Sequence, residues 1–313
     1  MNDFKYGIDA SEYESDAFSD LLQMLQLKVE IYHNAKVCGD WRINEHKLGA
    51  TCFHLVTLGD CLLDVPGYIK TMLSCGDLVI FPKELTHSMT SLALDNETKT
   101  SDNNIKQVHL PLHQAKSVEG TGMLCGEVTF HHKSSTLLLA DLPPVFVLPK
   151  REDMPWMGFL GQMIMTESLS PNPASKTILD KLSEMLFTYA LRQYLSENTD
   201  RIGLLALYGH ERLTKAIYAI HRAPEKDWSL QAMADQALLS RTVFAETFKS
   251  VSGWTAGQYL TWWRMQLAWS KLSRGASVAN TADFVGYRSE SAFSRAFQKT
   301  FSVTAGQVRR GLF

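Results

Sequence analysis

The C-terminal third of the chain is a loose duplication, and this constrains its fold more than any other feature. The tetrapeptide Thr255-Ala256-Gly257-Gln258 returns 49 residues later as Thr304-Ala305-Gly306-Gln307. At the same offset, Phe244 and Phe248 return as Phe293 and Phe297. Upstream, Ala234-Asp235 matches Ala282-Asp283 with a one-residue slip in the intervening turn. Two copies are too few for a solenoid, so the spacing predicts two small helical units.

Each copy reads as helix, short turn, helix. In the first, Ser229 is placed to cap a helix with Leu230, Met233, Ala234 and Ala237 on one face. A turn at Leu238-Leu239 follows, and Ser240 caps a second helix whose Val243, Phe244, Thr247 and Phe248 face inward. In the second copy, Val278, Ala282 and Val285 belong to the first helix and Val285-Gly286-Tyr287 makes the turn. Ser289 then caps a helix with Ala292, Phe293, Ala296 and Phe297 inward. Gly286 suits the positive φ that a tight turn demands.

A period of 3.6 residues then fixes what faces away. In the first copy Arg241, Thr242, Ala245, Glu246 and Lys249 point outward. In the second the outward set is Glu290, Ser291, Ser294, Arg295 and Gln298, with Arg288 just before the helix. Arginine suits guanine O6 and N7, Ser and Thr suit phosphates or base edges, and Glu accepts from cytosine N4. Residues 255–274 read as one connecting helix of about 30 Å, close to the ~34 Å between successive major grooves on one DNA face.

Charge points to the same partner. The whole chain carries 31 Lys and Arg against 33 Asp and Glu, a net of −2. Residues 211–313 hold 14 basic and 7 acidic side chains, a net of +7, which leaves −9 for the first 210 residues. An acidic body with a basic tail implies a polyanion, here double-stranded promoter or operator DNA, for the tail.

The front of the chain is built differently. Residues 16–27 predict a short amphipathic helix through Phe18, Leu21, Leu22 and Leu25. From about 29 to 92, short apolar runs such as Thr51–Leu58, Cys61–Val65 and Leu78–Phe81 alternate with Gly, Pro and Asp, the pattern of an antiparallel β domain. Residues 93–120 are polar and aperiodic and read as a mobile surface excursion; strand-like runs return at 122–130 and 137–140. Helical periodicity follows over 156–168 and 174–195, the latter with a stripe of Ile178, Leu179, Leu182, Met185, Leu186 and Tyr189 that serves either a core or a dimer contact.

The fold class expected is therefore α+β: a β-barrel followed by helices, then an all-α tail. The domains expected are 1–150, a helical linker and dimerisation region at 151–205, and 206–313. The polar, acidic N-terminus has no signal-peptide pattern, and no stretch approaches the ~18 apolar residues of a membrane span. Five widely spaced cysteines without a CxxC pair fit neither a disulfide framework nor a zinc finger, so a cytoplasmic protein is expected.

The tail resembles the AraC/XylS-type DNA-binding domain. The residues that carry the resemblance are Trp228-Ser229-Leu230, Leu239-Ser240-Arg241, Gly253, Tyr259-Leu260, Arg264, Val285-Gly286-Tyr287, Ser289 and Phe293-Ser294-Arg295-Ala296-Phe297. The resemblance implies a tandem helix-turn-helix joined by a linker helix. Where many relatives have Pro, this chain has Ala256 and Ala305. More faintly, residues 49–91 resemble the cupin signature through His54, Asp60, Gly67, Gly76, Pro82 and His87, with Val56 and Glu84 as departures. The combined layout implies a transcriptional regulator whose front half senses an effector and forms a homodimer, and whose output passes through RNA polymerase.

Two site expectations remain in the front half. His54, Asp60 and His87 form a candidate two-histidine, one-carboxylate metal set. Cys38, in the loop AKVCGDW near Lys36 and Arg42, is the candidate redox-sensing thiol if the effector is an oxidant rather than a small molecule. Cys52, Cys61 and Cys125 read as inert core. His109, His113 and the His131-His132 pair read as solvated loop residues. No catalytic residue, cofactor or membrane partner is expected. The rival reading is a metal-dependent cupin enzyme with an appended helical domain, and Val56 removes one of the ligands it would need.

Overall fold

Apolar runs punctuated by Gly and Pro give ten strands among the described residues of the computed structural model. Those residues are 16–39, 41–43, 49–83, 85–92, 108–114, 118–130, 139–198 and 202–312. A six-stranded sheet has the order β10 (Phe146–Leu148), β6 (Leu78–Phe81), β3 (Thr51–Leu58), β9 (Thr121–Phe130), β1 (Leu27–Cys38), β8 (Val108–Pro111). A four-stranded sheet has the order β2 (Arg42–Ile43), β7 (Ser88–Thr90), β4 (Cys61–Val65), β5 (Ile69–Leu73). The pairings are antiparallel. Neither sheet closes on itself, so the expected barrel is realised as two open sheets. They share a core in which Val56, Val79, Phe81 and Cys125 of the larger sheet join Cys61, Leu63, Leu73 and Met89 of the smaller.

β3 is buried almost end to end, because both its faces are covered. One face meets the core between the sheets. On the other, Phe53 fills the room left by Gly126 directly opposite it on β9; an added Cβ at Gly126 would meet the Phe53 ring at 2.6 Å. Helix α2 (Pro155–Leu169) and α3 (Ser175–Glu197) as far as Tyr194 belong to this unit. The Ile31 N–H donates to Asp180 of α3 at 3.1 Å, and Asn34 donates to Ser168 of α2 at 3.0 Å. The stripe expected on α3 divides in two: Leu179, Leu182 and Leu186 are buried, while Ile178 and Met185 remain exposed.

Part of the segment expected as a mobile excursion is instead sheet. Residues 108–111 form β8 and pair with β1. The strand expected at 137–140 falls largely outside the described residues, and what is described there is not strand.

The chain divides into two compact units. One is Leu27–Tyr194; the other joins α1 (Ala17–Leu25) to the chain from Leu195 onward. In this second unit Phe18 meets Tyr208 with ring centroids 6.1 Å apart. Asp20 Oδ2 lies 3.5 Å from Nδ1 of His221, and Nε2 of that buried ring hydrogen-bonds the Tyr259 hydroxyl at 2.7 Å. Burial holds the His221 pKa below the usual imidazole range, with Asp20 pulling the other way.

Candidate nucleic-acid interface

The duplication seen in the sequence is reproduced cap by cap. The first copy consists of α6 (Leu230–Gln236) and α7 (Arg241–Ser252), preceded by α4 (Ala206–Gly209) and α5 (Leu213–Arg222). The second consists of α9 (Val278–Phe284) and α10 (Glu290–Phe301), followed by α11 (Ala305–Arg309). Ser229 caps α6 by accepting from the Ala232 N–H, as Ser277 does for Asn280 on α9. Ser240 caps α7 and Ser289 caps α10. Thr255 and Thr304 each form a full capping box, with Gln258 and Gln307 reaching back. These reciprocal bonds fix the starts of both helices, with Ala256 and Ala305 as their first residues.

The turns match as well. The N–H of Leu239 bonds to the carbonyl of Ala234, and that of Tyr287 to the carbonyl of Ala282. The residue before each is left-handed: Leu238 at φ 53° and Gly286 at φ 76°. At Gly286 a side chain has no room, since an added Cβ would sit 2.4 Å from the Glu225 carbonyl oxygen.

Between the copies runs α8 (Ala256–Ser273), 18 residues long and so about 27 Å. Its Tyr259 packs against Phe248 of the first copy, and its Trp269 stacks on Phe297 of the second at 6.0 Å. Arg264 fixes the middle of α8 by donating to the Pro224 carbonyl at 2.7 Å and the Lys226 carbonyl at 2.8 Å.

Phe244, Phe248, Phe293 and Phe297 are all fully buried, as expected. The faces opposite them are therefore wet. Arg241, Thr242, Glu246 and Lys249 are exposed on α7, with Ala245 half-buried. Glu290, Ser291, Arg295 and Gln298 are exposed on α10, with Ser294 half-buried. Arg288 is exposed and pairs with Asp227 at 3.1 Å. One inward assignment was wrong: Val243 is 46% exposed. It stands one position before Phe244, where the helix has already turned toward solvent. Val243 thus joins the outward surface, which sequence reasoning had assigned without it.

The front half gathers its candidates only in part. His54 and His87 meet in the core, rings 5.3 Å apart, with Phe81 stacked on His87 at 4.3 Å. A ring nitrogen of His87 bonds the Leu85 carbonyl at 2.8 Å. Asp60 is exposed on the β3–β4 turn instead of joining them. Among the described residues no group of three or more His, Cys, Asp or Glu is placed to hold a metal ion.

Cys38 is not the exposed thiol that its loop-like sequence predicts. It ends β1 and is 6% exposed. Of the five cysteines, Cys75 is the exposed one, on the β5–β6 turn. Its thiol donates to the Thr57 carbonyl at 3.1 Å, and partial burial raises its pKa. The Cys61 thiol is pushed up to about 12 by burial. His109 is not a loop residue either. It lies on β8, its ring edge-on to that of His33 at 5.4 Å, and burial together with the His109 charge holds His33 down to about 4.

Two capped helix pairs in a basic tail, later in the chain than the two-sheet unit, fit a DNA-binding protein of modular build. Comparison with known proteins agrees. The cupin family matches residues 16–196, and a helix-turn-helix domain family matches residues 233–311. An HTH-type transcriptional regulator of Haemophilus influenzae, itself uncharacterized, is 29% identical over 95% of this chain and 99% of its own length. The RCS-specific HTH-type transcriptional activator RclR of Escherichia coli is 29% identical over 94% of this chain and 97% of its own. A crystal structure of apo ToxT from Vibrio cholerae aligns over 92% of this chain and 97% of that one, at 14% identity and a TM-score of 0.36. The chain belongs to the AraC-type helix-turn-helix transcriptional regulators that carry an N-terminal cupin domain. It is a regulator and not an enzyme. Among the described residues no helix is long and apolar enough to cross a membrane.

Proposed function

We propose that α7 and α10 are recognition helices that read two adjacent major grooves on one face of a promoter duplex. The observation that carries this reading is the cap-for-cap duplication about α8. A rigid spacer of about 27 Å, with one helix pair packed on each end, suits a groove repeat of ~34 Å once the width of the flanking helices is included. Arg241, Thr242, Ala245, Glu246 and Lys249 form the first contact set; Arg288, Glu290, Ser291, Ser294, Arg295 and Gln298 form the second. Arg295 contacts a guanine, while Lys249 and Arg288 hold phosphates.

On this reading the unit Leu27–Tyr194 is the effector domain, so the sequence-expected boundaries at 150 and 205 give way: α2 and most of α3 serve the effector domain, and the chain from Leu195 onward, joined by α1, is the reader. A homodimer forms through the apolar side chains left exposed on α2 and α3, Phe159, Met163, Ile178 and Met185. The regulator works in the cytoplasm, and its bound form contacts RNA polymerase. The effector on this reading is a small molecule, because Cys38, the thiol the sequence offered for oxidant sensing, is buried.

The test is fluorescence anisotropy of the full chain on DNA from upstream of its own gene. Arg295→Ala is expected to cost about 1–3 kcal/mol on that site while leaving binding to shuffled DNA unchanged. Equal loss on both DNAs would remove Arg295 from base reading.

A further inference from the structure

The Leu27–Tyr194 unit contains a cavity of about 410 Å³ walled by β3, the β5–β6 turn and α2. That size falls within the range of small-molecule sites. Three features mark it as more than a packing defect.

First, α2 supplies the space by sequence. Gly158 and Gly161 lie one turn apart in the cavity wall, and a Cβ built on either meets nothing within 4 Å. Glycine inside a helix is destabilising relative to alanine, and no neighbour here demands it. Second, Thr57 of the wall is 3% exposed, yet its Oγ1 has no hydrogen-bond partner among the described residues. Buried hydroxyls are normally satisfied. Third, Lys150 is the one charged residue in the wall. Its stem lies across Gly76, where an added Cβ would come within 2.5 Å of Lys150 Cδ, and its backbone N–H is tied to Asp77 at 2.8 Å. The remaining wall is mainly apolar, with Leu55, Met157 and Met165.

We propose that this cavity is the effector site and that it takes a small apolar organic anion. Its carboxylate or sulfonate pairs with Lys150, the Thr57 hydroxyl donates to a polar atom of the ligand, and the apolar body lies against Met157 and Met165. Filling the gap under Gly158 and Gly161 ties α2 to the sheet, and α2 leads directly into α3. The inference rests on the reading of the front half as a sensor.

The experiment titrates the full chain with two fluorescent probes. One is 1-anilinonaphthalene-8-sulfonate, an apolar anion; the other is N-phenyl-1-naphthylamine, which is uncharged. Saturable binding of both at one site is expected. Lys150→Met should weaken the sulfonate about fivefold, the scale of one exposed ion pair, and leave the amine unchanged. Gly161→Leu should abolish both while the circular dichroism spectrum and melting temperature are kept. Should Gly161→Leu fail to fold, alkylation of Cys75 in the wild-type chain takes its place: saturating sulfonate should slow it several-fold.

Absence of saturable binding would overturn the proposal. So would full binding in folded Gly161→Leu, equal loss of both probes in Lys150→Met, or an unchanged Cys75 alkylation rate. DNA binding is measured in parallel on the same samples. Intact DNA binding without probe binding sinks the cavity and leaves the regulator; loss of DNA binding alone does the reverse.

Discussion

Gly286→Ala is the sharpest perturbation of the tail, because the duplication supplies its own control. At φ 76° any residue with a Cβ carries left-handed strain of about 1–2 kcal/mol. The new methyl would also lie 2.4 Å from the Glu225 carbonyl oxygen, 2.8 Å from Glu225 Cα and 2.9 Å from the Arg264 guanidinium. Two of those atoms are backbone, so no rotamer relieves the overlap. The 224–226 segment must shift, which stretches the bonds from Arg264 to Pro224 and Lys226. A charge-assisted bond contributes about 1.5–3 kcal/mol, so strain plus one weakened bond costs about 3 kcal/mol. Leu238, the counterpart in the first copy, has φ 53° and is 75% exposed. Leu238→Gly removes strain but frees the unfolded chain, and the two offset to within about 0.5 kcal/mol. Thermal unfolding followed by tryptophan fluorescence reports on the tail, which holds Trp228, Trp254, Trp262, Trp263 and Trp269. At about 4–8 °C per kcal/mol for a domain of this size, Gly286→Ala should lower the transition by more than ~10 °C and Leu238→Gly by less than ~4 °C. If Gly286→Ala melts within ~2 °C of the parent, the close approach at Glu225 is not what holds the second copy against the first.

Three other outcomes follow from the front half. His33 is held down to about 4 by burial and His109, so the folded form keeps it neutral while the unfolded chain takes up a proton below about 6.5. Stability present above pH 6.5 should fall between 6.5 and 4 by up to ~1.4 kcal/mol per pH unit, and urea melts of His33→Gln should show a shallower fall. Of the five thiols, only Cys75 should react with iodoacetamide in the native chain, more slowly than free cysteine because its pKa is raised; faster labelling of Cys38 by mass spectrometry would contradict its burial. Gly158→Ala and Gly161→Ala should each stabilise the front unit by about 0.5–1 kcal/mol in chemical denaturation, since neither methyl meets a neighbour; destabilisation would mean the helix needs those glycines.

Local signals in the sequence carried the tail. Ser229, Ser240, Ser289, Thr255 and Thr304 cap helices because a hydroxyl before an apolar period satisfies free N–H groups within three residues, and nothing distant competes. The four buried phenylalanines follow from the same short-range periodicity. What stayed hidden depends on contacts far along the chain. Cys38 looks like a loop residue in AKVCGDW, but β1 continues through it once residues 108–111 pair with the strand. The helix Ala17–Leu25 reads as part of the front half, yet Asp20 meets His221 some 200 positions later. The candidate metal set failed for a related reason: spacing within β3 and its turn does not reveal that His54 points into the core while Asp60 sits in solvent. The cavity beside Gly158 and Gly161 is likewise invisible until α2 is laid beside β3.

The most direct test of the central claim is a salt series. Anisotropy of the full chain on its upstream DNA and on shuffled DNA, from 50 to 200 mM salt, reports how many phosphates the tail neutralises. Two helix pairs in adjacent grooves predict a steep slope on both DNAs, a loss on the order of 10³-fold for about six phosphate contacts, and a large preference for the upstream site that Arg295→Ala reduces. A flat salt response, or equal binding to both DNAs that Arg295→Ala leaves untouched, would contradict the two-groove account.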